Sequence, residues 1–68
     1  MPNEHTEKLA KIFLAARQEQ GLTQLEVAEK AGLTANAYAR IERGKRQPTS
    51  ESLLKLVKAL NIDPTKVL

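Results

Sequence analysis

The chain has 68 residues, a formal net charge of +3 and no cysteine. A domain of this length buries only about 60% of the surface that its unfolded chain exposes, so its core is too thin to surround a deep substrate pocket. The lack of cysteine excludes disulfides and thiolate metal sites, and no segment reaches the roughly 18 apolar residues of a membrane span, so we expect one cytoplasmic domain, residues 1–68, with no cofactor.

Two helices are predicted in the first half of the chain. The first ends before Gly21 and has apolar residues at helical spacing, namely Leu9, Ile12, Phe13 and Ala16. The second begins with a capping box of Thr23 and Glu26, in which both side chains satisfy free backbone N–H groups. It runs to about Ala31, because Gly32 readily adopts the left-handed conformation that ends a helix.

Three further helical segments are predicted in the second half. Thr34 caps a helix that Gly44 ends, and residues 44–48 form a loop. Thr49 opens a fourth helix, whose apolar side consists of Leu53, Leu56, Val57 and Leu60. Asp63 and Pro64 suit an N-cap and a first helical residue, so a short last turn is expected. Because no stretch alternates like a strand, the predicted fold is all-α, a compact bundle of about five short helices.

The second and third helices are separated by a three-residue turn that contains Gly32. Two short helices joined in this way form a helix-turn-helix unit, in which they cross steeply. A close crossing needs a small side chain, which Ala28 supplies four residues before the glycine. Leu33, in the turn, is expected to fill the core beneath it. The sequence therefore predicts a helix-turn-helix formed by helices 2 and 3.

Positive charge is concentrated in the second half of the chain. Residues 1–33 carry four basic and five acidic groups, a net charge of −1, whereas residues 34–68 carry seven and three, a net charge of +4. Within residues 40–46, RIERGKR sets four cations against one carboxylate. Such a patch is typical of proteins that bind nucleic acids, and it also fits a solvated surface cluster.

The third helix has a polar side suited to a DNA groove. On a helical wheel this side holds Asn36, Ala39, Arg40 and Arg43, and the opposite side holds Tyr38 and Ile41. Asn36 can bind adenine and Arg40 can bind guanine, each through two hydrogen bonds worth roughly 1–3 kcal/mol of discrimination. Ala35 can touch a thymine methyl. The alternative interpretation is an ordinary polar helix face with Ala35 as a filler.

Further donors flank this helix. Arg43, Lys45 and Arg46 lie at its far end and in the following loop, where they are expected to hold phosphates unless they are simply solvated. The backbone N–H groups at the start of the helix that begins near Gln24 also suit a phosphate.

Three segments, LTQLEVAEKAGLT, RIERGKRQP and SLLKLVKALNID, together resemble the helix-turn-helix domains of phage repressors and Cro, the XRE family. The resemblance covers about residues 9–68 and implies a lambda-repressor-like fold. It implies base reading by Ala35, Asn36 and Arg40, and phosphate binding by Gln24, Arg43, Lys45 and Arg46. It also implies a structural ion pair between Arg17 of the first helix and Glu42 of the third.

The sequence departs from this family pattern at Tyr38, where the family usually has an aliphatic residue. A ring at that core position needs space, and its hydroxyl needs a partner or water. Ala37, which precedes it, can supply some of the space. The tilt of the third helix, and so the base edges that it reaches, depends on how this ring is accommodated.

The predicted function is a sequence-specific double-stranded DNA-binding transcriptional regulator, a repressor or autoregulator. One helix-turn-helix reads few base pairs, so a homodimer on a near-palindromic operator is expected, with α-helical reading of the major groove. The exposed candidates for a dimer contact are taken from the last helices: Leu60, Ile62, Val67 and Leu68.

Three alternatives remain open at this point. A restriction-modification controller protein has this size and fold, and it activates as well as represses. An antitoxin-type regulator has another protein, such as a toxin, as its main partner, and a regulator's partner can also be polymerase. A pure protein-interaction module is the third, although the acid-free polar side of the third helix speaks against it.

No enzyme is expected from this sequence. His5 lies near the terminus without a cluster of metal ligands around it, and Ser50 and Ser52 have no histidine near in sequence to activate them. Glu26 and Glu29 suit capping and a solvated face better than acid–base chemistry.

Overall fold

The computed structural model describes residues 3–67 of the chain. They form four α-helices and a terminal 3₁₀ turn, joined by short loops. The helices are α1 (Glu4–Glu19), α2 (Gln24–Ala31), α3 (Ala35–Glu42) and α4 (Ser50–Leu60), and the turn covers Pro64–Lys66. The all-α prediction is confirmed, with four helices in this part of the chain rather than five. Within it, no helix is both long and apolar enough to cross a membrane.

Side-chain caps fix where the helices begin. The hydroxyl of Thr23 accepts a hydrogen bond from the backbone N–H of Glu26 at 3.1 Å, and the Glu26 carboxylate accepts one from the N–H of Thr23 at 2.9 Å. The predicted capping box is therefore present. Thr34 and Thr49 each accept from the backbone N–H three residues later at 3.1 Å. A cap of this kind contributes about 1 kcal/mol to stability.

The core lies between all four helices. Its fully buried large side chains include Leu9, Phe13, Val27, Tyr38, Leu56 and Leu60. α2 packs against α3 and α4, and α1 packs against α3 and α4 as well. Ala28 is fully buried and Leu33 packs against the core, as the predicted turn requires.

The apolar side of α4 is taken up by the domain's own core. Leu60 and Val67, predicted as exposed candidates for a dimer contact, are only 1% and 5% exposed, so that prediction is wrong for both. Ile62 is half-buried against the core, and Leu68 lies outside the described residues. A domain this small needs nearly all of its large apolar side chains for one core. The large hydrophobic residues left exposed in the described part are Leu25 and Leu54.

Candidate nucleic-acid interface

The outward side of α3 is polar and accessible. Its exposed residues are Ala35, Asn36, Arg40 and Arg43, and Ala39 between them is half-buried. The opposite side packs into the core through Tyr38 and Ile41. The sequence of α3, ANAYARIE, contains one acid, Glu42, and this residue is only 8% exposed. The accessible side therefore combines hydrogen-bond donors with small side chains, as a helix inserted into a DNA groove requires.

The turn between α2 and α3 fixes the direction of α3. Gly32 has φ of 70°, in the left-handed region where a residue with a Cβ is strained by roughly 1–2 kcal/mol. The N–H of Leu33 donates to the carbonyl oxygen of Ala28 at 2.8 Å, which satisfies the end of α2. Thr34 then caps α3. One helix thus ends and the next begins within three residues, and the relative orientation of the two is set by local hydrogen bonds.

The loop after α3 is held against α1. Gly44 is buried with φ of 73°, and a Cβ built on it would lie 3.8 Å from the Cβ of Ala10. The N–H of Lys45 donates to the carbonyl oxygen of Arg40 at 2.9 Å, so the loop continues directly from the last turn of α3. The side chains of Lys45 and Arg46 are exposed. Both cationic side chains therefore project into solvent beside the C-terminal end of α3, from a loop whose start is held in place.

Glu42 is removed from this surface by an ion pair with Arg17 of α1. Nε and Nη2 of Arg17 donate to the two carboxylate oxygens at 2.7 and 2.8 Å, and Nη1 donates to the carbonyl oxygen of Leu22 at 2.9 Å. Burial acts to raise the pKa of the Glu42 carboxyl. The hydrogen bonds and charge of Arg17, together with polar contacts of Tyr38 and Gln24, outweigh burial, so the pKa is lowered. The carboxylate is ionised, and its charge is neutralised inside the domain.

Gln24, at the start of α2, belongs to the same network. Its Nε2 donates to Oε1 of Glu42 at 3.1 Å, and the residue is half-buried. An amide nitrogen carries two hydrogens, so one of them is engaged before any phosphate arrives. Sequence reasoning missed this bond, because the two residues are 18 positions apart and no local pattern links them.

Tyr38 occupies the centre of the core. It is 0% exposed, and its hydroxyl has no hydrogen-bond partner among residues 3–67. Burial raises the pKa of the hydroxyl above its usual range, and the neighbouring Glu42 carboxylate raises it further, whereas Arg17 lowers it. The hydroxyl thus lies close enough to both charged groups for polar contacts with them to shift its pKa, but it makes a well-formed hydrogen bond with neither.

Comparison with known proteins agrees with this geometry. A family profile described as Helix-turn-helix matches residues 14–67, from the middle of α1 to the final turn. The chain belongs to the XRE-type helix-turn-helix family of DNA-binding transcriptional regulators. This assignment agrees with the resemblance seen in the sequence.

Individual relatives of this XRE-type domain differ in length. It is 40% identical over 50 residues to y4dJ, an uncharacterized HTH-type transcriptional regulator of Sinorhizobium fredii. The aligned region covers 74% of this chain and 65% of that protein. Over 54 residues it is 41% identical to the HTH-type transcriptional regulator ImmR of Bacillus subtilis, covering 79% and 42%. The chain therefore spans less than two thirds of the length of these curated relatives.

Solved structures include one of nearly the same extent. The restriction-modification controller protein C.AhdI from Aeromonas hydrophila superposes with a TM-score of 0.85 and is 30% identical. The similarity covers 93% of this XRE-type domain and 96% of the controller protein. The fold of the two chains is therefore shared almost from end to end.

The residues predicted to contact DNA fall into two groups in this XRE-type domain. Those on the accessible side of α3 and the loop that follows are Ala35, Asn36, Arg40, Arg43, Lys45 and Arg46. Gln24 stands apart, because its side chain is bonded to Glu42 in the buried network. The predicted base-reading residues Asn36 and Arg40 thus share one helix face, and Ala35 is exposed at the start of the same helix. The predicted loop cations continue from the end of this helix.

Proposed function

We propose that this chain is a sequence-specific regulator that binds a near-palindromic operator in double-stranded DNA as a homodimer, with α3 in the major groove. The observation that carries this proposal is the accessible side of α3, which presents donors and small residues, while the one acid of the helix is buried and paired with Arg17. A solvated helix face of ordinary composition would mix acids with bases and would not need Glu42 to be held inside.

Base reading is assigned to the first two turns of α3. Asn36 and Arg40 are exposed and four residues apart, so they project from the same side of the helix. Their bidentate hydrogen bonds suit adenine and guanine respectively, each worth about 1–3 kcal/mol against a wrong base. Ala35, exposed at the start of the helix, suits contact with a thymine methyl group.

Phosphate binding is assigned to the two ends of the unit. Gln24 stands at the start of α2, and Arg43, Lys45 and Arg46 follow the reading side of α3. The three cations of each protomer can neutralise three phosphates, whereas the uncharged amide of Gln24 can bind a phosphate without neutralising it, so a dimer releases about six counterions. The logarithm of its affinity then falls against the logarithm of salt concentration with a slope of roughly −5.

A selection of bound sequences from a random double-stranded DNA pool tests this proposal. We expect a two-fold symmetric motif, with half-sites about one helical turn, or 10 base pairs, apart. The mass of the complex, measured by light scattering, should correspond to two chains per operator. The proposal would be contradicted if no sequence were enriched after several rounds of selection, or if the enriched motif lacked symmetry and bound one chain.

A second candidate is the role of a restriction-modification controller, which activates as well as represses. The near-complete overlap with the controller protein C.AhdI favours it, since 93% of this chain and 96% of that one superpose. A reporter gene under the chain's own promoter, measured at graded protein levels, separates the two. A plain repressor lowers expression at every level, whereas a controller raises it over part of the range.

The third class of function, an antitoxin-type regulator, is distinguished by the presence of a partner protein. If the main role of the chain is to hold a toxin, affinity purification from the native cell recovers a second protein in equal amount. A regulator that acts as a homodimer yields only its own chain and DNA.

A further inference from the structure

In the buried network, the Tyr38 hydroxyl lacks a hydrogen-bond partner within the described part of the chain, whereas the nearby Glu42 carboxylate already accepts from several donors. The hydroxyl of Tyr38 is fully buried and lacks a hydrogen-bond partner among residues 3–67, which is unfavourable. Tyr38 precedes Glu42 by four residues on α3, so the two side chains lie on the same side of the helix, and both are buried. The carboxylate of Glu42 is meanwhile occupied by donors from α1 and α2.

Gln24 has one anionic partner, Glu42, in the free protein and a second, a DNA phosphate, in the proposed complex. In the free protein its amide nitrogen donates to Oε1 of Glu42 at 3.1 Å, and the same oxygen accepts from Nη2 of Arg17 at 2.8 Å. In the proposed complex, the amide group turns away from Glu42 toward a DNA phosphate, rather than bridging the two anions with its two hydrogens. Glu42 then loses a donor while it remains buried, and an ionised acceptor is costly to leave short of donors.

We propose that Tyr38 is a positioning residue, whose hydroxyl replaces Gln24 as a donor to Glu42 when Gln24 binds a DNA phosphate. This inference rests on the proposed DNA-binding function. A hydroxyl hydrogen rotates freely about its C–O bond, so the exchange needs only small side-chain movements. Tyr38 gains an acceptor and Glu42 regains a donor in the same step. A hydrogen bond that is not made in the free protein thereby favours the DNA-bound state.

The exchange differs from a role in which the ring only fills space. If Tyr38 fills space, phenylalanine replaces it with the same effect on stability whatever residue stands at position 24. If the hydroxyl donates to Glu42 only after Gln24 has left, the effect of Tyr38→Phe on stability depends on whether Gln24 is present. The two roles therefore predict different couplings between the two positions.

The exchange is tested first without DNA, in wild type, Tyr38→Phe, Gln24→Ala and the double variant. Removing the Gln24 amide imitates its departure from Glu42. We expect Tyr38→Phe to leave the urea midpoint unchanged or higher in the wild-type background. In the Gln24→Ala background it should lower the midpoint and increase the unfolding constant about tenfold or more, as loss of a hydrogen bond to a charged group does. Equal effects in both backgrounds would overturn the proposal.

Spectroscopy gives an independent readout, because the chain contains one tyrosine and no tryptophan. Tyrosine absorption and fluorescence therefore report on Tyr38 alone. A phenol that donates to a carboxylate absorbs at longer wavelength and fluoresces less. We expect both changes in free Gln24→Ala relative to wild type. A folded Gln24→Ala with the wild-type tyrosine spectrum would contradict the exchange.

Binding to the selected operator completes the test. Tyr38→Phe should weaken binding about tenfold in the wild-type background and have no further effect in Gln24→Ala, where the hydroxyl is bonded to Glu42 with and without DNA. Its salt slope should stay that of wild type, because no phosphate contact is lost. Weakening by the same factor in both backgrounds would refute the exchange. Failure of wild type to bind any DNA would instead refute the proposed function, and the DNA-free cycle and spectra still decide the exchange.

Discussion

The guanidinium of Arg17 in α1 binds both carboxylate oxygens of Glu42 at the end of α3, with nitrogen–oxygen distances of 2.7 and 2.8 Å. This pair joins the first helix to the helix that is proposed to read bases. It also keeps the one negative charge of α3 away from the accessible side. Stability and the proposed DNA recognition therefore depend on different cations, which substitutions can remove one at a time.

Arg17→Ala should destabilise the fold strongly. It leaves the Glu42 carboxylate buried without its counter-charge, and breaking a buried ion pair in this way costs about 3–5 kcal/mol. Small domains are stable by only about 5–15 kcal/mol, so the urea midpoint should fall markedly. The combined change Arg17→Met with Glu42→Leu should recover most of the loss, because no unpaired charge stays buried. A double variant no more stable than Arg17→Ala would contradict this explanation.

Acid should remove the stabilisation that Glu42 provides. Its folded-state pKa lies below the ordinary value of 4.5, so the unfolded carboxyl binds a proton more readily than the folded one. The contribution is complete above pH 4.5 and is lost as the pH falls through the lowered folded pKa. In urea unfolding, wild type should exceed Glu42→Gln in stability at neutral pH, and the difference should shrink in acid. A difference that stays constant across this range would speak against the assignment.

Arg40→Ala should relax sequence preference at one base pair of each half-site. Loss of a bidentate contact to guanine reduces discrimination by about 1–3 kcal/mol, while the exposed position leaves the fold intact. The sequence logo from a repeated DNA selection measures the change. Lys58→Ala, which removes an exposed cation from α4, is the control and should leave the logo unchanged. An unchanged logo for Arg40→Ala would mean that another part of α3 meets the bases.

Lys45→Ala should weaken binding to all sequences about equally. Its side chain leaves the loop rather than the reading side of α3, so it is expected to contact a phosphate. Each lost phosphate contact lowers the steepness of the salt dependence by about 0.9, so a dimer with two altered loops should lose roughly 1.8. Titrations of operator and of unrelated DNA over several salt concentrations measure this. A loss confined to the operator would place Lys45 at a base instead.

The local signals in the sequence were sufficient for the helix-turn-helix. Thr23 and Glu26 form a capping box within four residues, and Gly32 ends α2 by its own left-handed backbone, so each is set by a short segment. No start of α1 was predicted from the sequence. The helix begins at Glu4, before its first apolar residue, because Asn3 accepts a hydrogen bond from the N–H of Thr6 at 3.0 Å.

Contacts between distant segments were beyond a local pattern. The hydrogen bond from Gln24 to Glu42 depends on how α2 and α3 cross, and the sequence around either residue carries no sign of it. The burial of Leu60 and Val67 likewise depends on how much apolar surface the other helices leave uncovered. The DNA contacts of Asn36 and Arg40 remain predictions, because they depend on a second molecule.

The close approach of Gly44 to Ala10 would let α1 influence the affinity of the proposed operator complex. The loop that carries Lys45 and Arg46 continues from Gly44, which lies against α1, so a bulkier residue at position 10 is expected to shift these two predicted phosphate contacts and to leave the predicted base-reading residues of α3 in place. Substitutions in α1 would therefore change the proposed affinity for DNA without changing the proposed preference for particular bases.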